Sequence, residues 1–504
     1  MIGAVKQAKT GGYLMSKENK NLSAPAGTST DSVVEFKPSF GAAVVCVLSL
    51  VISMALSIFC FNEKMHVAML LSLAITILVL TLEKCPWSKI EGAIIHGGKL
   101  MIMTALILYS IGALMGAWIA SGTVPMIIYW GLKLISPSMF LFTACLACII
   151  TSLATGSSWS AIGTAGVALM GVGMGLGVNP AMTAGAVVSG AAFGDKMSPL
   201  SDTTNLAPAV AEGDVFDHIK AMLYTTVPSA VIALGAFYVL GLRYSGDTES
   251  SVVNEIITSL GTTFDLNLFT LIPPIIVLVL ALKKKPAFPI LLISGFTAAL
   301  IAIFVQGYSV VDMFRIMQDG FVSQTGNAAM DKLLSRGGLV NMNYTCSLGI
   351  IAMVYGGILE KLGILEACLE KLTFVGKSVG TLVCSTVLSC ILFNMITASQ
   401  YMSIILGGRL FIGEFKKKDL LPQCLSRCLE DGGTVTSLIV PWNVDAAFAA
   451  ATLGVAVLDF LPFAVFNWIV PIVSITFGFM GKFQWKTGEI KSAKTYRDEE
   501  AEAI

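Results

Sequence analysis

Residues 185–209 read GAVVSGAAFGDKMSPLSDTTNLAPA. A small-residue apolar helix runs into Pro199 and Pro208, and each proline removes a backbone donor and interrupts the ladder. Backbone carbonyls and amides are therefore freed where Asp195, Ser198, Ser201, Asp202, Thr203, Thr204 and Asn205 crowd together. Irregular backbone at membrane depth is tolerated only where it lines a cavity or is buried in protein. Small hard cations prefer oxygen ligands, and unwound carbonyls and helix ends hold Na⁺ in transporters. An ionised Asp inside a bilayer costs about 2.5–3.5 kcal/mol on insertion scales, so Asp195 and Asp202 call for a bound cation or a proton. Na⁺ and H⁺ competing for one carboxylate already make an exchange mechanism. The alternative is a wet cytoplasmic loop with Asp195 paired to its neighbour Lys196.

The rest of the chain supplies a bilayer for this segment. Its 504 residues are 55% hydrophobic and 13% charged, with a mean hydropathy of +0.80. Such a composition describes an all-α polytopic membrane protein rather than a row of soluble domains. With 32 basic and 32 acidic side chains, no basic excess is present to bind nucleic acid. The eleven cysteines are odd in number, and several lie within apolar runs, so no disulfide framework is expected. Cys145 and Cys148 have CxxC spacing without a second pair, and they read as packing residues.

Apolar runs predict about 10–13 membrane helices, the first over 41–61, with interrupted segments counted as partial crossings. Lysines at 6, 9, 17, 20 and 37, 283–285, 416–418, and 482, 486, 491 and 494 put both termini and those loops in the cytoplasm of a multi-pass inner-membrane protein. The expected organisation is a disordered tail over 1–40, N-terminal helices over 41–98, a first inverted repeat over 99–243, and an extramembrane loop over 244–267. A second inverted repeat over 268–480 and a cytoplasmic tail over 481–504 complete it. The stretches 244–266 and 308–338 carry amphipathic patterns and read as interfacial helices or loops.

An internal repeat underlies the two halves. Residues 111–162 align with 351–404: Gly116 with Gly356, Gly122 with Gly363, and Trp159 with Tyr401, the offset drifting from 240 to 242. After each repeat comes an acid- and hydroxyl-rich break, GDKMSPLSDTTN from Gly194 and EDGGTVTSLIVPWN from Glu430. Inverted repeats with broken helices in matching positions point to a secondary transporter whose site lies between the halves.

In the second break, Glu430, Asp431, Thr434, Thr436 and Asn443 repeat the composition of the first, with Gly432 and Gly433 as breakers and Pro441 as a further interruption. Arg427 can pair with Glu430 or Asp431 along the helix, and Asp445 reads equally as a ligand or as a residue facing water. Two hydroxyl clusters precede the breaks, Thr155, Ser157 and Ser158 in one half and Thr397, Ser399 and Gln400 in the other. They serve equally as helix-packing residues or as a site for an organic anion at helix N-termini. His66, His96 and His218 are scattered near predicted helix ends and read as interfacial. The sequence contains no GxxxxGK[ST] segment, so ATP-driven transport has no support. A membrane-embedded enzyme using Asp195, Asp202 and Glu430 lacks a nucleophile–base pair.

GAAFGDKMSPLSDTTNLAPAVA with HIKAMLYTTVPSA, and LSRCLEDGGTVTSLIVPWN with AAFAAATLGV, closely resemble the NhaC family of bacterial Na⁺/H⁺ antiporters over about residues 40–480. The resemblance implies gradient-driven exchange of cytoplasmic Na⁺ for external H⁺, and it extends to relatives that look like malate/lactate antiporters. The positions that match are Asp195, Ser198, Asp202, Thr203, Thr204 and Asn205 in the first block, and Glu430, Asp431, Thr434, Thr436 and Asn443 in the second. Asp445 stands where typical members are expected to carry a small or uncharged residue. Asp202 is the expected Na⁺- and H⁺-binding carboxylate, with Thr203, Thr204, Asn205, Thr434, Thr436 and Asn443 completing the coordination and Asp195 or Asp431 tuning the charge. No cofactor is expected. The expected partners are Na⁺, H⁺ and the lipid bilayer, with a small carboxylate as alternative cargo and a homodimer as a candidate assembly.

Overall fold

Five of the described α-helices begin on a proline or just after one: Trp87–Ala120 follows Pro86 and Ala287–Phe304 follows Pro286, while Pro137–Thr155, Pro180–Met197 and Pro422–Leu429 start on theirs. Proline suits the first helical turn because no intrahelical acceptor awaits its missing N–H. Side chains cap others, with Ser39 accepting from the Ala42 amide and Asp214 from Phe216 and Asp217. The structure is a computed structural model, and it describes residues 36–61, 65–244, 251–283, 285–324, 331, 334–369, 378–489 and 496. Nearly all of the expected 1–40 tail, together with Lys284, Lys491 and Lys494, lies outside the described residues. The described elements are helical, apart from an isolated bridge between Leu420 and Lys486.

Seven described helices are long and apolar enough to cross a bilayer, among them the 34-residue Trp87–Ala120 and the 30-residue Val215–Tyr244. Two further pairs pass the same test only together, Asn254–Thr263 with Leu268–Leu280 bent by 100°, and Val444–Leu453 with Val457–Phe463 bent by 89°. Phe288–Phe304 and Val465–Phe479 are shorter apolar helices. The seven, or nine with each bent pair taken as one span, fall short of the expected 10–13, because several apolar runs are sharply bent or too short to cross alone. Within the expected extramembrane loop 244–267, read as an interfacial helix or loop, Ser251–Thr263 is a helix. Its Ile256 and Leu260, with Phe264 just beyond it, are buried at four-residue spacing, the pattern of an amphipathic helix lying on a core. Val310–Asp319 is a second such helix, started by a Ser309–Asp312 capping box.

Close approach between helix backbones is set by glycine. A Cβ on Gly97 would lie 2.2 Å from the Met353 carbonyl oxygen, and one on Gly190 would lie 2.3 Å from that of Cys145. In a bilayer, where lipid is as apolar as Leu, such small-residue contacts are a main source of helix association. The Gly190 contact seats Pro180–Met197 directly on Pro137–Thr155, which brings Asp195 beside the residues that follow Thr155. Gly190→Val is expected to overpack this seam by about 1–3 kcal/mol, read as a lowered melting midpoint of the detergent-solubilised protein.

The repeat is visible in detail. Gly122 and Gly363 have φ of 81° and 69°, each following its repeat's first helix. Gly156 and Ala398, with φ of 69° and 53°, end Pro137–Thr155 and Val379–Thr397. Ser157 and Ser399 then cap the following helices by accepting from the Ser160 and Met402 amides at 3.3 and 3.5 Å. Thr155 donates to the Thr151 carbonyl at 2.9 Å, as Thr397 donates to that of Phe393 at 2.8 Å. One helical break has been used twice.

Candidate functional site

The first break separates Pro180–Met197 from Asp202–Val210, and the second separates the widened turn Glu430–Thr434 and Val435–Ser437 from Val444–Leu453. Asp195, on the last turn of its helix, is 7% exposed. One of its carboxylate oxygens accepts from the Ser158 hydroxyl at 2.5 Å and the other from that of Ser201 at 2.7 Å. Each donor begins or caps the helix that follows a break. The backbone carbonyl of Asp195 accepts from Thr204 Oγ1 at 3.0 Å. Asp195 has no ion pair with a basic side chain among the described residues, and its chain neighbour Lys196 turns elsewhere. Lys196 Nζ lies 2.7 Å from Asp431 Oδ1 in the other half, both side chains fully buried.

Asp431 also accepts from Thr225 Oγ1 at 3.0 Å, and its second oxygen is 4.0 Å from Arg427 Nε. Arg427 in turn donates to the Phe483 carbonyl at 2.7 Å. Glu430, fully buried, has neither carboxylate oxygen in a well-formed hydrogen bond, although the Thr203 and Thr434 hydroxyls stand beside it. Thr434 Oγ1 likewise has no well-formed hydrogen bond among the described residues. Asp445, 5% exposed, accepts from Trp159 Nε1 at 2.8 Å, and Trp159 stacks on Phe448 with centroids 4.4 Å apart. The buried acids are thus Asp195, Glu430, Asp431 and Asp445, and the buried basic groups near them are Lys196 and Arg427, with His218 bonded to Ser426. Carboxylates outnumber the permanent cations. A buried charge needs a partner, so a cation or a proton must supply the difference.

A cavity of about 710 Å³ reaches this cluster, with Asp195, Asp202, Asp445, Gln400 and Tyr401 in its wall and the exposed Lys285 also lining it.

Several expectations change. Asp202 is exposed in the cavity wall rather than buried, because it opens the helix after the break while Asp195 closes the helix before it. Asn205 is exposed, and its amide nitrogen donates to the Pro199 and Ser201 carbonyls at 3.0 and 2.7 Å. Ser198 donates to the Leu153 carbonyl at 2.9 Å, and Thr204 to those of Asp195 and Lys196. Asn205 and Thr204 thus satisfy carbonyls freed by this break, and Ser198 one near the end of Pro137–Thr155. Thr203 shares a hydrogen bond with Ser201 at 3.1 Å. Thr436 donates to the Gly432 carbonyl, and Asn443 caps Val444–Leu453 by accepting from the Asp445 amide at 3.1 Å. Asp431 belongs to an ion pair rather than to a free ligand set. The reading of Asp195 paired with Lys196 gives way to Lys196 paired with Asp431. His218 is fully buried rather than interfacial, with Nδ1 2.8 Å from Ser426 Oγ. The Lys196–Asp431 pair escaped the sequence reading because its partners are 235 positions apart; the one signal was a lysine next to an intramembrane aspartate.

Helices that break in pairs around buried, under-compensated carboxylates define an integral-membrane secondary transporter. A model of the Na⁺/H⁺ antiporter family matches residues 1–204 and 190–482. The Na⁺/H⁺ antiporter NhaC of Alkalihalophilus pseudofirmus is 41% identical over 426 residues, covering 84% of this chain and 92% of that protein. NhaC of Bacillus subtilis is 38% identical over 427 residues, 84% of this chain and 94% of its own. The malate-2H⁺/Na⁺-lactate antiporter of Bacillus subtilis is 36% identical over 455 residues, 90% and 97% of the two chains. The chain belongs to the Na⁺/H⁺ antiporter family.

Proposed function

We propose that the chain exchanges Na⁺ for H⁺ through Asp195, with Glu430 as the neighbouring carboxylate and Ser158, Ser201, Thr203 and Thr434 as the hydroxyl oxygens around them. The observation that carries this is the state of Asp195. It is a buried carboxylate at the end of an open cavity, held by two hydroxyls from two helix breaks and by no basic side chain. Hydroxyl donors stabilise the charge without neutralising it, so one Na⁺ or one H⁺ completes the site at a time. Two halves in opposite orientation would then expose it to either side in turn, as the matched breaks suggest. The positive-inside reading of Lys285, which lines the cavity, favours access from the cytoplasmic side.

The acidic wall also bears on the cargo. The name of the malate/lactate relative raises an organic anion, but Asp195, Asp202 and Asp445 all face the cavity, and like charges repel such a cargo. Ser158, proposed for the anion, is committed to Asp195. Proteoliposomes with a trapped pH dye test the two readings. NaCl alone is expected to release an imposed pH gradient. Release by sodium malate or lactate only would overturn the cation reading.

Asp202 distinguishes the burial argument from motif position. An exposed charge is solvated and screened, and its contribution is small. Asp202→Asn is therefore expected to keep exchange and to raise the apparent KM for Na⁺ by about two- to fivefold, from an interaction of under about 1 kcal/mol. Complete loss of flux in this variant would return the central role to Asp202.

A further inference from the structure

The segment that follows Val465–Phe479 lies across the start of Pro422–Leu429. The Trp485 carbonyl accepts from the Leu421 amide at 2.9 Å and from Cys424 Sγ at 3.6 Å, and the Thr487 amide donates to the Asp419 carbonyl at 3.1 Å. Phe483, stacked on Tyr224 with centroids 4.2 Å apart, has φ of 57°. The left-handed region is costly for a bulky residue, and outliers of this kind cluster where function fixes the backbone. In this turn the Phe483 carbonyl meets Arg427 Nη1 at 2.7 Å. That carbonyl decides where a buried guanidinium sits. Arg427 is fully buried, and its Nε and Nη2 have no well-formed hydrogen bond among the described residues. Asp431 Oδ2 is buried and likewise without one, yet Nε stops 4.0 Å from it. Lys196 holds the other oxygen, Oδ1, at 2.7 Å. A guanidinium and a carboxylate favour a two-bond pair that takes both oxygens, so Arg427 is kept short of the arrangement its chemistry prefers. Were it to close on Asp431, Lys196 would lose its partner. The carboxylates then open to Lys196 are Asp195, its chain neighbour, and Glu430, within its electrostatic reach.

We propose that docking of residues 481–489 keeps the Na⁺ site open: Phe483 restrains Arg427, Lys196 stays with Asp431, and Asp195 and Glu430 remain free for Na⁺ or H⁺. Release of the segment lets Arg427 take Asp431 and turns Lys196 into a built-in cation that competes with Na⁺. Arg427 is thus a positioning residue, acting on the exchange site through Lys196. The inference rests on the reading of Asp195 as the exchanging carboxylate, and it adds a control over Na⁺ affinity exerted from the segment after the last described helix.

The test uses the full chain and two substitutions at one position. Phe483→Val and Phe483→Gly both lose the ring stacked on Tyr224, but only glycine adopts the left-handed turn without strain. Phe483→Val is expected to raise the apparent KM for Na⁺ about tenfold, a usual size for coupling between sites. The maximal rate should be unchanged, because high Na⁺ outcompetes Lys196. Phe483→Gly keeps the turn, and its KM is expected to stay within about twofold of the parent's. In a Lys196→Met background Phe483→Val should raise the KM no further, since the competitor is gone. Should Phe483→Val not fold, Thr487→Pro removes the amide donated to Asp419 and loosens the same segment, with the same dependence on Lys196 expected. Equal KM changes for valine and glycine, or the same rise with and without Lys196, would overturn the proposal. Melting midpoints give a second readout that needs no transport. With Lys196 removed, Arg427 is drawn to Asp431 and depends less on the Phe483 carbonyl, so the losses from Lys196→Met and Phe483→Val should combine to less than their sum. That shortfall, seen in proteins of which even the parent shows no Na⁺-driven flux, would sink the Na⁺/H⁺ reading alone.

Discussion

Asp195→Asn is expected to abolish Na⁺-driven proton flux, to the level of protein-free liposomes, while leaving the protein folded. Asparagine has nearly the shape of aspartate, and its carboxamide oxygen still accepts from Ser158 or Ser201, which reach the two sides of the group at 2.5 and 2.7 Å. It removes the negative charge and the ability to carry a proton, which are the two properties exchange requires. Removal of a buried charge that has no basic partner relieves a desolvation cost, so the melting midpoint should be unchanged or higher. Loss of flux with a preserved midpoint separates a transport role from a structural one. Retained flux in Asp195→Asn would move the exchanging carboxylate to Glu430 or Asp445, the other buried acids at the breaks.

The contrast between Asp195 and Asp202 shows what a linear sequence conveys and what it withholds. The membrane class, the doubled break and the crowd of oxygens over 195–205 were legible, because hydropathy, proline and glycine act locally. The repeat was legible as well, down to Gly122 with Gly363 and Trp159 with Tyr401. Which of two aspartates seven positions apart faces water was not, since that depends on how Gly190 and Gly194 let one helix lie on Pro137–Thr155. Residues read as ligands from composition turn out to satisfy freed backbone: Asn205 and Thr204 at the break between Pro180–Met197 and Asp202–Val210, and Ser198 at the end of Pro137–Thr155. A broken helix generates its own demand for hydrogen bonds, and side chains rich in oxygen near a break answer that demand first. Asp445 was open on sequence; its bond to Trp159 and its place in the wall follow from Val444–Leu453 packing against the helical segment that Ser157 caps.

The second large effect concerns the Lys196–Asp431 pair, which ties the end of one broken helix to the widened turn of the other. Both side chains are fully buried at 2.7 Å, so neither charge has water to fall back on. Removing one partner of such a pair costs about 3–5 kcal/mol, whereas replacing both by apolar groups of similar volume is often neutral. The two single losses differ here. Lys196→Met leaves Asp431 with Thr225 at 3.0 Å and Arg427 at 4.0 Å, a partial compensation. Asp431→Leu strands Lys196 and Arg427 together and places an unpaired positive charge next to Asp195. Asp431→Leu is therefore expected to be the more destabilising of the two and to raise the KM for Na⁺ strongly. The double variant is expected to recover the part of the loss that belongs to Lys196 and to bring the KM back towards the parent, because the charge next to Asp195 has gone, while Arg427 keeps only the Phe483 carbonyl. Melting midpoints and Na⁺ titrations of the four proteins form a double-mutant cycle that measures the coupling. Additive losses in that cycle would mean that the two side chains act independently and that the ion pair does not join the two breaks.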